Sequence, residues 1–145
     1  MNHIFLVILF AISAFGCSTA MTPGTVATGD SVATVSPQQA QEEVSKAYSQ
    51  FIDVRTPEEF AAGHAARTRN IPLDTIEQNL DLMRRDEPVY LICRSGSRSA
   101  KAAQILSNAG FTKVFNIAGG TDAWKAEGLP MSSGKVAGKD EKPQR

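Results

Sequence analysis

The sequence predicts an α/β protein with a parallel sheet that helices cover on both faces. Short apolar segments at residues 51–55, 69–72, 89–92 and 113–117 alternate with segments of helical period. Repeated strand-helix units with apolar strands are typical of parallel sheets, because helices pack on both sides of such strands. No internal repeat accompanies this alternation, so the 145 residues predict one domain.

Helix signals begin directly before the first strand. Ser36 and Pro37 form a helix start, with serine as the cap and proline in the first turn, and residues 38–47 follow with apolar side chains at helical spacing. A brief helix over residues 58–62 ends at Gly63. We therefore expect the globular domain to begin at Ser36.

Three more helices are predicted after the second strand segment. Residues 74–83 place apolar side chains on one face, and residues 99–109 repeat this pattern with small inward residues. A short helix follows Gly119 and Gly120 and continues through Trp124, which we expect in the core.

The balance of charges excludes one large class of partner. Fifteen Lys and Arg face fifteen Asp and Glu, and no stretch interleaves basic and aromatic residues as nucleic-acid binding requires. The sequence also lacks a cluster of metal ligands, so we predict neither a metal nor an organic cofactor. His64, a lone histidine after a glycine, is expected to be structural.

The N-terminus predicts export. An apolar segment over residues 4–15 and the small residues after it are typical of a signal peptide, which we place at residues 1–20. The residues before Cys17 resemble a bacterial lipobox, which predicts acylation of Cys17 and a lipid-anchored periplasmic or cell-envelope protein. Cleavage before Met21, or an uncleaved anchor, remains an alternative.

Composition divides the rest of the chain into three parts. Residues 21–35 are rich in small and hydroxyl side chains and predict a flexible linker. Residues 36–131 form the predicted globular domain, and the polar residues 132–145 predict a disordered tail.

Cys93 is the candidate nucleophile. If Cys17 is acylated or removed, Cys93 is the mature protein's only thiol and cannot form an internal disulfide. It follows the apolar strand 89–92 and precedes a helix, and ligand sites in open α/β sheets lie at such strand ends. The alternative is a buried structural cysteine.

The residues after Cys93 predict a thiolate in an anion-binding loop. The helix N-terminus, a backbone nest at Gly96, and the cations Arg94 and Arg98 all favour the charged sulfur. Thiosulfate suits this loop, because it offers oxygens to bind and a soft outer sulfur to attack. Phosphate esters are the competing class, but cysteine phosphatases place five residues between Cys and Arg, whereas four separate Cys93 from Arg98.

Several motifs together resemble those of single-domain rhodaneses, the thiosulfate sulfurtransferases, over residues 36–131. They are Asp53-Val54-Arg55, Pro57-Glu58-Glu59-Phe60, Gly63-His64, Asn70-Ile71-Pro72-Leu73, Cys93-Arg94-Ser95-Gly96-Ser97-Arg98-Ser99, Gly110-Phe111, Gly119-Gly120, Ala123-Trp124 and Gly128-Leu129-Pro130.

The resemblance implies a three-layer α/β/α domain with five parallel strands in the order 3-2-4-5-1. It also implies a ping-pong reaction in which Cys93 takes sulfur from thiosulfate or a polysulfide and passes it to a thiol or cyanide. Asp53 and Arg55 would support the loop, most simply as a structural ion pair. The substrate-binding residues would be Arg94, Ser95, Gly96, Ser97, Arg98 and Ser99.

Two other functions stay open at this point. A persulfide carrier without turnover would use the same loop, and a phosphatase or arsenate reductase would use the same nucleophile. The chain also departs from the family pattern at residues 65–69, where Arg67 and Arg69 either border the mouth of the site or are solvated. Oligomeric state is not indicated.

Overall fold

A five-stranded parallel sheet organises residues 32–134, the part of the chain that this computed structural model describes. The predicted signal segment with Cys17, the linker up to residue 31 and the tail from residue 135 lie outside the described residues. Along the chain the elements are β1 (Val32–Val35), α1 (Pro37–Val44), β2 (Gln50–Asp53), α2 (Pro57–Ala62), β3 (His64–Ala65), β4 (Arg69–Asn70), a 3₁₀ segment (Leu73–Leu82), β5 (Val89–Ile92), α3 (Ser97–Asn108), β6 (Val114–Ile117), α4 (Gly120–Ala126) and β7 (Met131–Ser132).

The order of the sheet confirms the predicted topology. Its strands lie side by side as β1-β6-β5-β2-β4, and every neighbouring pair is parallel. If these five strands are numbered 1 to 5 in chain order and read from the outer strand β4, their order is 3-2-4-5-1. Strand β5 is therefore central, and its neighbours β2 and β6 position the residues that surround its carboxyl end.

The predicted linker is wrong at its C-terminal end, because residues 32–35 form strand β1. Val32 and Val35 are partly buried, and the strand pairs with Val114–Ile117 of β6 over its whole length. Three of its four residues are β-branched, which suits a pleated strand. The domain therefore begins before Ser36, although Ser36 caps α1 through a capping box with Gln39, as expected of a helix start.

The helix predicted over residues 74–83 forms as a 3₁₀ segment rather than an α-helix. The chain forms 3₁₀ turns over Leu73–Leu82, and Asn79 interrupts them with φ −118° and ψ 19°. The apolar face is nevertheless correct: Ile76 is buried and Leu80 packs against the same core. Apolar spacing alone predicts which face is inward, but not how tightly the turns are wound.

A small second sheet corrects the predicted start of the tail. Strand β3 pairs antiparallel with β7, so Ser132 lies opposite His64 rather than in a disordered segment. The amide of Gly134 donates to the carbonyl oxygen of Ala61 at 3.1 Å. The ordered chain thus continues beyond Met131.

Two apolar clusters, one on each face of the sheet, give the three predicted layers. Helix α3 and the 3₁₀ segment pack on one face, and α1 and α4 pack on the other. Trp124 is fully buried in the second cluster, against Phe51 with 5.3 Å between ring centroids, which confirms its predicted place. Within residues 32–134, no helix combines the length and apolar character needed to cross a membrane.

Candidate active site

Cys93 follows β5 at the carboxyl edge of the sheet, between the ends of β2 and β6. Its thiol is free, and only 1% of the residue is exposed. The carboxyl ends of parallel strands are where α/β proteins place their ligands, as the sequence predicted for this residue. Burial by itself would make Cys93 an ordinary core residue, so its polar neighbours decide its chemistry.

A turn of backbone wraps around the sulfur. The amide of Gly96 donates to Cys93 Sγ at 3.1 Å. Gly96 has φ 97° and ψ −14°, a left-handed conformation in which a glycine turns the chain without a side-chain clash. Helix α3 begins at the next residue, Ser97, so the first amides of the helix are directed toward the loop.

The side chain of Ser99 also reaches the sulfur. This residue is fully buried, and its hydroxyl lies 3.3 Å from Cys93 Sγ. The same hydroxyl lies 3.2 Å from the carbonyl oxygen of Gly96 and 2.7 Å from Asn116 Oδ1. A serine hydroxyl carries one hydrogen, so these three acceptors compete for it.

These contacts lower the pKa of the Cys93 thiol. Burial acts in the opposite direction and is the largest effect, but hydrogen bonds from the Ser99 hydroxyl and from the amides of Ser99, Gly96 and Ser95 together outweigh it. Hydrogen bonds to the charged form of a group favour that form. The lowered pKa was predicted from the sequence; the structure shows that amides and a hydroxyl produce it.

The two arginines predicted as cations of the loop each pair with a carboxylate. The Arg98 guanidinium donates two hydrogen bonds to Glu59, of 2.6 and 2.7 Å. Arg94 has a side chain that is 72% exposed and lies 3.6 Å from Asp122. The largest contributions to the Cys93 pKa are burial and the hydrogen bonds from Ser99, Gly96 and Ser95, and neither arginine is among them.

Glu59 links helix α2 to the loop. Hydrogen bonds from Arg98 outweigh partial burial and lower the pKa of the Glu59 carboxyl to about 2. The same carboxylate completes a capping box with Thr56 at the start of α2. The Thr-x-x-Glu spacing was visible in the sequence, but the pairing with Arg98, 39 residues away, was not.

Helix α4 holds the loop from its other side. The amide of Thr121 donates to the carbonyl oxygen of Cys93 at 2.7 Å, and that of Asp122 donates to Arg94 at 3.1 Å. Gly120 has φ +55°, and a Cβ atom there would lie 2.2 Å from the Cys93 carbonyl oxygen. Only glycine permits this close approach of helix and loop.

Asp53 and Arg55 form the predicted ion pair beside the loop. Arg55 donates to Asp53 through Nε and Nη2, with a shortest distance of 2.7 Å, and both side chains are at most 5% exposed. A further bond of 2.8 Å joins Arg55 to the carbonyl oxygen of Gly63. The pair therefore ties the end of β2 to the end of α2.

A cleft of about 270 Å³ lies beside this loop. Cations and anions both line it, and Thr121 contributes a buried hydroxyl that has no hydrogen-bond partner among the described residues. The lining residues are Arg55, Glu59, Ala62, Gly63, Arg94, Thr121, Asp122 and Lys125.

Other predicted residues have simpler positions. Ser95 and Ser97 are exposed, and neither side chain contacts the sulfur. His64 stacks on Phe60, with 3.7 Å between ring centroids, and its Nδ1 bonds to the carbonyl oxygen of Phe60 at 2.8 Å, which confirms a structural role. Within residues 32–134, no group of three or more His, Cys, Asp and Glu side chains could hold a metal ion.

Arg67 and Arg69 do not border this site. They line a separate pocket with Gln50, the first residue of β2, at the opposite edge of the sheet. Of the two alternatives left open for these arginines, a place at the mouth of the site is therefore wrong. Three residues that contact the loop or the start of α3 had no predicted role there: Asn116 at Ser99, Gly120 at the Cys93 backbone and Glu59 at Arg98.

The fold and the loop together define an α/β protein whose activated thiol lies in a turn of backbone amides at the end of a central parallel strand. Residues 36–127 match the model of the Rhodanese-like domain, and the chain belongs to this family.

Relatives of this chain include named sulfurtransferases. Thiosulfate sulfurtransferase 16, chloroplastic, of Arabidopsis thaliana is 40% identical over 57% of this chain and 79% of its own length. Uncharacterized protein YqhL of Bacillus subtilis is 46% identical over 52% of this chain, and the match spans 60% of that protein. The crystal structure of a rhodanese-like domain protein from Staphylococcus aureus has a TM-score of 0.61 and 34% identity, and covers 70% of this chain and 99% of that one.

Proposed function

We propose that this protein is a sulfurtransferase that carries sulfane sulfur as a persulfide on Cys93. The donor is thiosulfate or a polysulfide, and the acceptor is a thiol or cyanide. One observation carries the proposal: the Cys93 sulfur accepts hydrogen bonds from the Gly96 amide at 3.1 Å and the Ser99 hydroxyl at 3.3 Å. Donors directed at one sulfur stabilise an anion there, which a nucleophilic thiolate requires.

The reaction has two displacement steps at sulfur. The Cys93 thiolate attacks the outer sulfur of thiosulfate, the bond between its two sulfurs breaks, and sulfite leaves with the electron pair. An acceptor thiolate or cyanide then attacks the outer sulfur of the persulfide, and Cys93 leaves as the thiolate. Amides that stabilise this thiolate favour the second step, because a lower thiol pKa makes a better leaving group.

The charges around the loop support sulfur rather than phosphorus chemistry. Phosphoryl transfer needs cations that hold the charged oxygens in the transition state. Glu59 already engages Arg98 through both of its oxygens, and the Arg94 side chain is mostly exposed. Hydrolysis of an aryl phosphate that depends on Cys93 would contradict this reasoning.

Turnover separates the proposed enzyme from a persulfide carrier. The full chain is incubated with thiosulfate and cyanide, and thiocyanate is measured over time. We expect many turnovers for the wild type and for Cys17→Ser, which changes the chain's other cysteine. Cys93→Ala and Cys93→Ser should form no thiocyanate. If the wild type takes up one sulfur on Cys93 but does not turn over with cyanide or with thiol acceptors, the protein is a persulfide carrier.

The location we propose is the periplasm or cell envelope, with acylated Cys17 as the anchor. The apolar segment at residues 4–15 and the small residues 16–20 that follow it support it. Mass spectrometry of the N-terminal peptide from purified mature protein tests this directly. A diacylated or triacylated Cys17 is expected, and an N-terminus at Met21 would contradict the anchor.

A further inference from the structure

The end of the sheet opposite Cys93 carries a second distinctive surface. In a parallel sheet all strands begin at the same end, so the first residues of β1, β2 and β4 share that end, with β1 and β4 as the two outer strands. The chain enters the described domain at this edge through Val32, and Cys93 lies beyond the other edge. Four residues of strand, roughly 13 Å, separate the two edges.

Three arginines line a pocket of about 300 Å³ at the edge where the strands begin. Arg67 donates to the carbonyl oxygen of Ser45 at 3.1 Å, and Arg69 donates to that of Leu82 at 2.9 Å. Arg84 pairs with Glu87 at 2.6 Å. We name this the arginine pocket; its lining is Ser49, Gln50, Phe51, Arg67, Arg69, Leu82 and Arg84.

The arginine pocket has spare hydrogen-bond donors and excess positive charge. A guanidinium carries five N–H groups, and Arg67 and Arg69 each bond one carbonyl oxygen with no carboxylate partner among the described residues. Partial burial and the neighbouring charge of Arg84 lower the pKa of Arg69. Like charges held together without a full set of counterions favour the binding of an anion.

The loops around the arginine pocket carry more cations than anions. Four loops enter strands β2, β4, β5 and β6 at this end of the sheet. Their cations are Lys46, Arg67, Arg84, Arg85 and Lys113, and their anions are Asp86 and Glu87; Lys46 pairs with Glu43 of α1 at 2.6 Å.

Exposed apolar side chains lie beside these cations. Tyr48 is 51% exposed and Leu82 is 50% exposed, and within residues 32–134 they are the two exposed large hydrophobic side chains. Leu82 lines the arginine pocket, and Tyr48 precedes its lining residue Ser49. Cations together with exposed aromatic and aliphatic side chains are typical of surfaces that bind an anionic membrane.

We infer that this edge is a membrane-contact surface whose arginine pocket binds the phosphate of an anionic phospholipid headgroup. The surface would lie where the chain arrives from the proposed N-terminal anchor, so the domain would rest on the bilayer with Cys93 directed away from it. The inference uses the proposed anchor for orientation and does not depend on sulfur transfer.

Lipid-quenched fluorescence tests this orientation with the full chain. Tyr48→Trp places a probe on the surface, and Glu58→Trp, exposed at the start of α2 near the catalytic edge, is the matched control probe. Each protein is added to vesicles of phosphatidylcholine alone or with phosphatidylglycerol, both containing brominated lipid. The native Trp124 is fully buried and gives a constant background.

We expect the Tyr48→Trp probe to be quenched in the anionic vesicles and much less in the neutral ones. Arg67→Asn and Arg69→Gln should each weaken the anionic partition roughly fivefold, whereas Lys101→Gln on α3 should leave it unchanged. Asparagine is chosen at Arg67 because that residue has φ 71°, which asparagine tolerates. Circular dichroism confirms that each variant is folded.

Three results would overturn the inference. Equal quenching in both kinds of vesicle, unaffected by either arginine change, would exclude headgroup recognition. Quenching of the Glu58→Trp probe instead would place the catalytic edge on the membrane. Binding of soluble glycerol phosphate at the arginine pocket without quenching by vesicles would assign the pocket to a free anion. Each result is independent of the thiocyanate assay.

Discussion

The hydroxyl of Ser99 lies 3.3 Å from the sulfur of Cys93, one turn into the helix that follows the loop. This relationship joins the start of α3 to the nucleophile. A single buried side chain, together with backbone amides, offsets the burial that would otherwise raise the pKa of the thiol. The consequences for reactivity can be measured directly.

Removing the Ser99 hydroxyl should raise the pKa of Cys93. Ser99→Ala deletes one donor to the thiolate and leaves the burial that opposes ionisation. The pH midpoint for alkylation of the Cys93 peptide by iodoacetamide, followed by mass spectrometry, should move upward. Ser97→Ala, in the same helix but exposed and without contact to the sulfur, is the control and should leave the midpoint in place.

Removing the side-chain amide of Asn116 should have the opposite effect. Asn116 Oδ1 lies 2.7 Å from the Ser99 hydroxyl and competes with Cys93 Sγ for its single hydrogen. Asn116→Leu frees that hydrogen for the sulfur, so the alkylation midpoint should move downward. In a Ser99→Ala background the same change should have no effect, because the shared donor is absent. An equal shift in both backgrounds would show that Asn116 acts without Ser99.

Sequence patterns predicted the reactive centre better than its surroundings. Cys93, the loop glycine Gly96 and the helix start at Ser97 lie within five residues of one another, so local rules were sufficient. The contacts of Asn116 with Ser99 and of Glu59 with Arg98 join residues 17 and 39 positions apart, and only the folded sheet brings them together. Sequence reasoning therefore predicted a lowered thiol pKa but attributed part of it to the arginines.

The fold was predicted in the same uneven way. Strands and helices with long apolar patterns were located correctly, and the family resemblance implied the strand order. Strand β1 was missed because four residues are too few to show a clear alternation of apolar and polar side chains. They also follow a stretch of similar composition. Strands β3 and β7 have two residues each, and their pairing depends on tertiary contacts that no local pattern carries.

Two glycines offer a matched test of the contact between α4 and the loop. Gly120 and Gly128 have φ +55° and φ +68°, so an alanine at either position costs a similar backbone strain of about 1 kcal/mol. Only at Gly120 would the new Cβ meet the Cys93 and Arg94 backbone; at Gly128 it meets nothing within 4 Å. Gly120→Ala should reduce thiocyanate formation roughly 100-fold through displacement of the loop. Gly128→Ala should keep full activity, and a loss of activity as large as at Gly120 would contradict this account.

The Glu59–Arg98 pair should make stability depend on acid pH. The carboxyl pKa is about 2 in the folded protein against an ordinary 4.5, so the pair stabilises the fold fully above about pH 4.5. Its contribution is lost as the pH falls toward about 2, because the unfolded chain takes up the proton first. Both side chains are about one third exposed, so solvent limits the effect to about 1 kcal/mol or less.

Urea unfolding at neutral pH and near pH 3 measures this contribution. Glu59→Gln keeps a side chain that can complete the capping box but removes the charge. The variant should be less stable than the wild type at neutral pH, and this difference should shrink in acid. Glu58→Gln is the neighbouring control. A difference between Glu59→Gln and the wild type that does not change with pH would exclude a titrating ion pair.

The persulfide itself is the central claim, and intact mass spectrometry of the protein after incubation with thiosulfate tests it most directly. We predict a mass increase of one sulfur atom that peptide mapping places on Cys93, that persists in Cys17→Ser and that cyanide removes as thiocyanate. A folded protein whose Cys93 remains unmodified in excess thiosulfate and polysulfide would contradict the account.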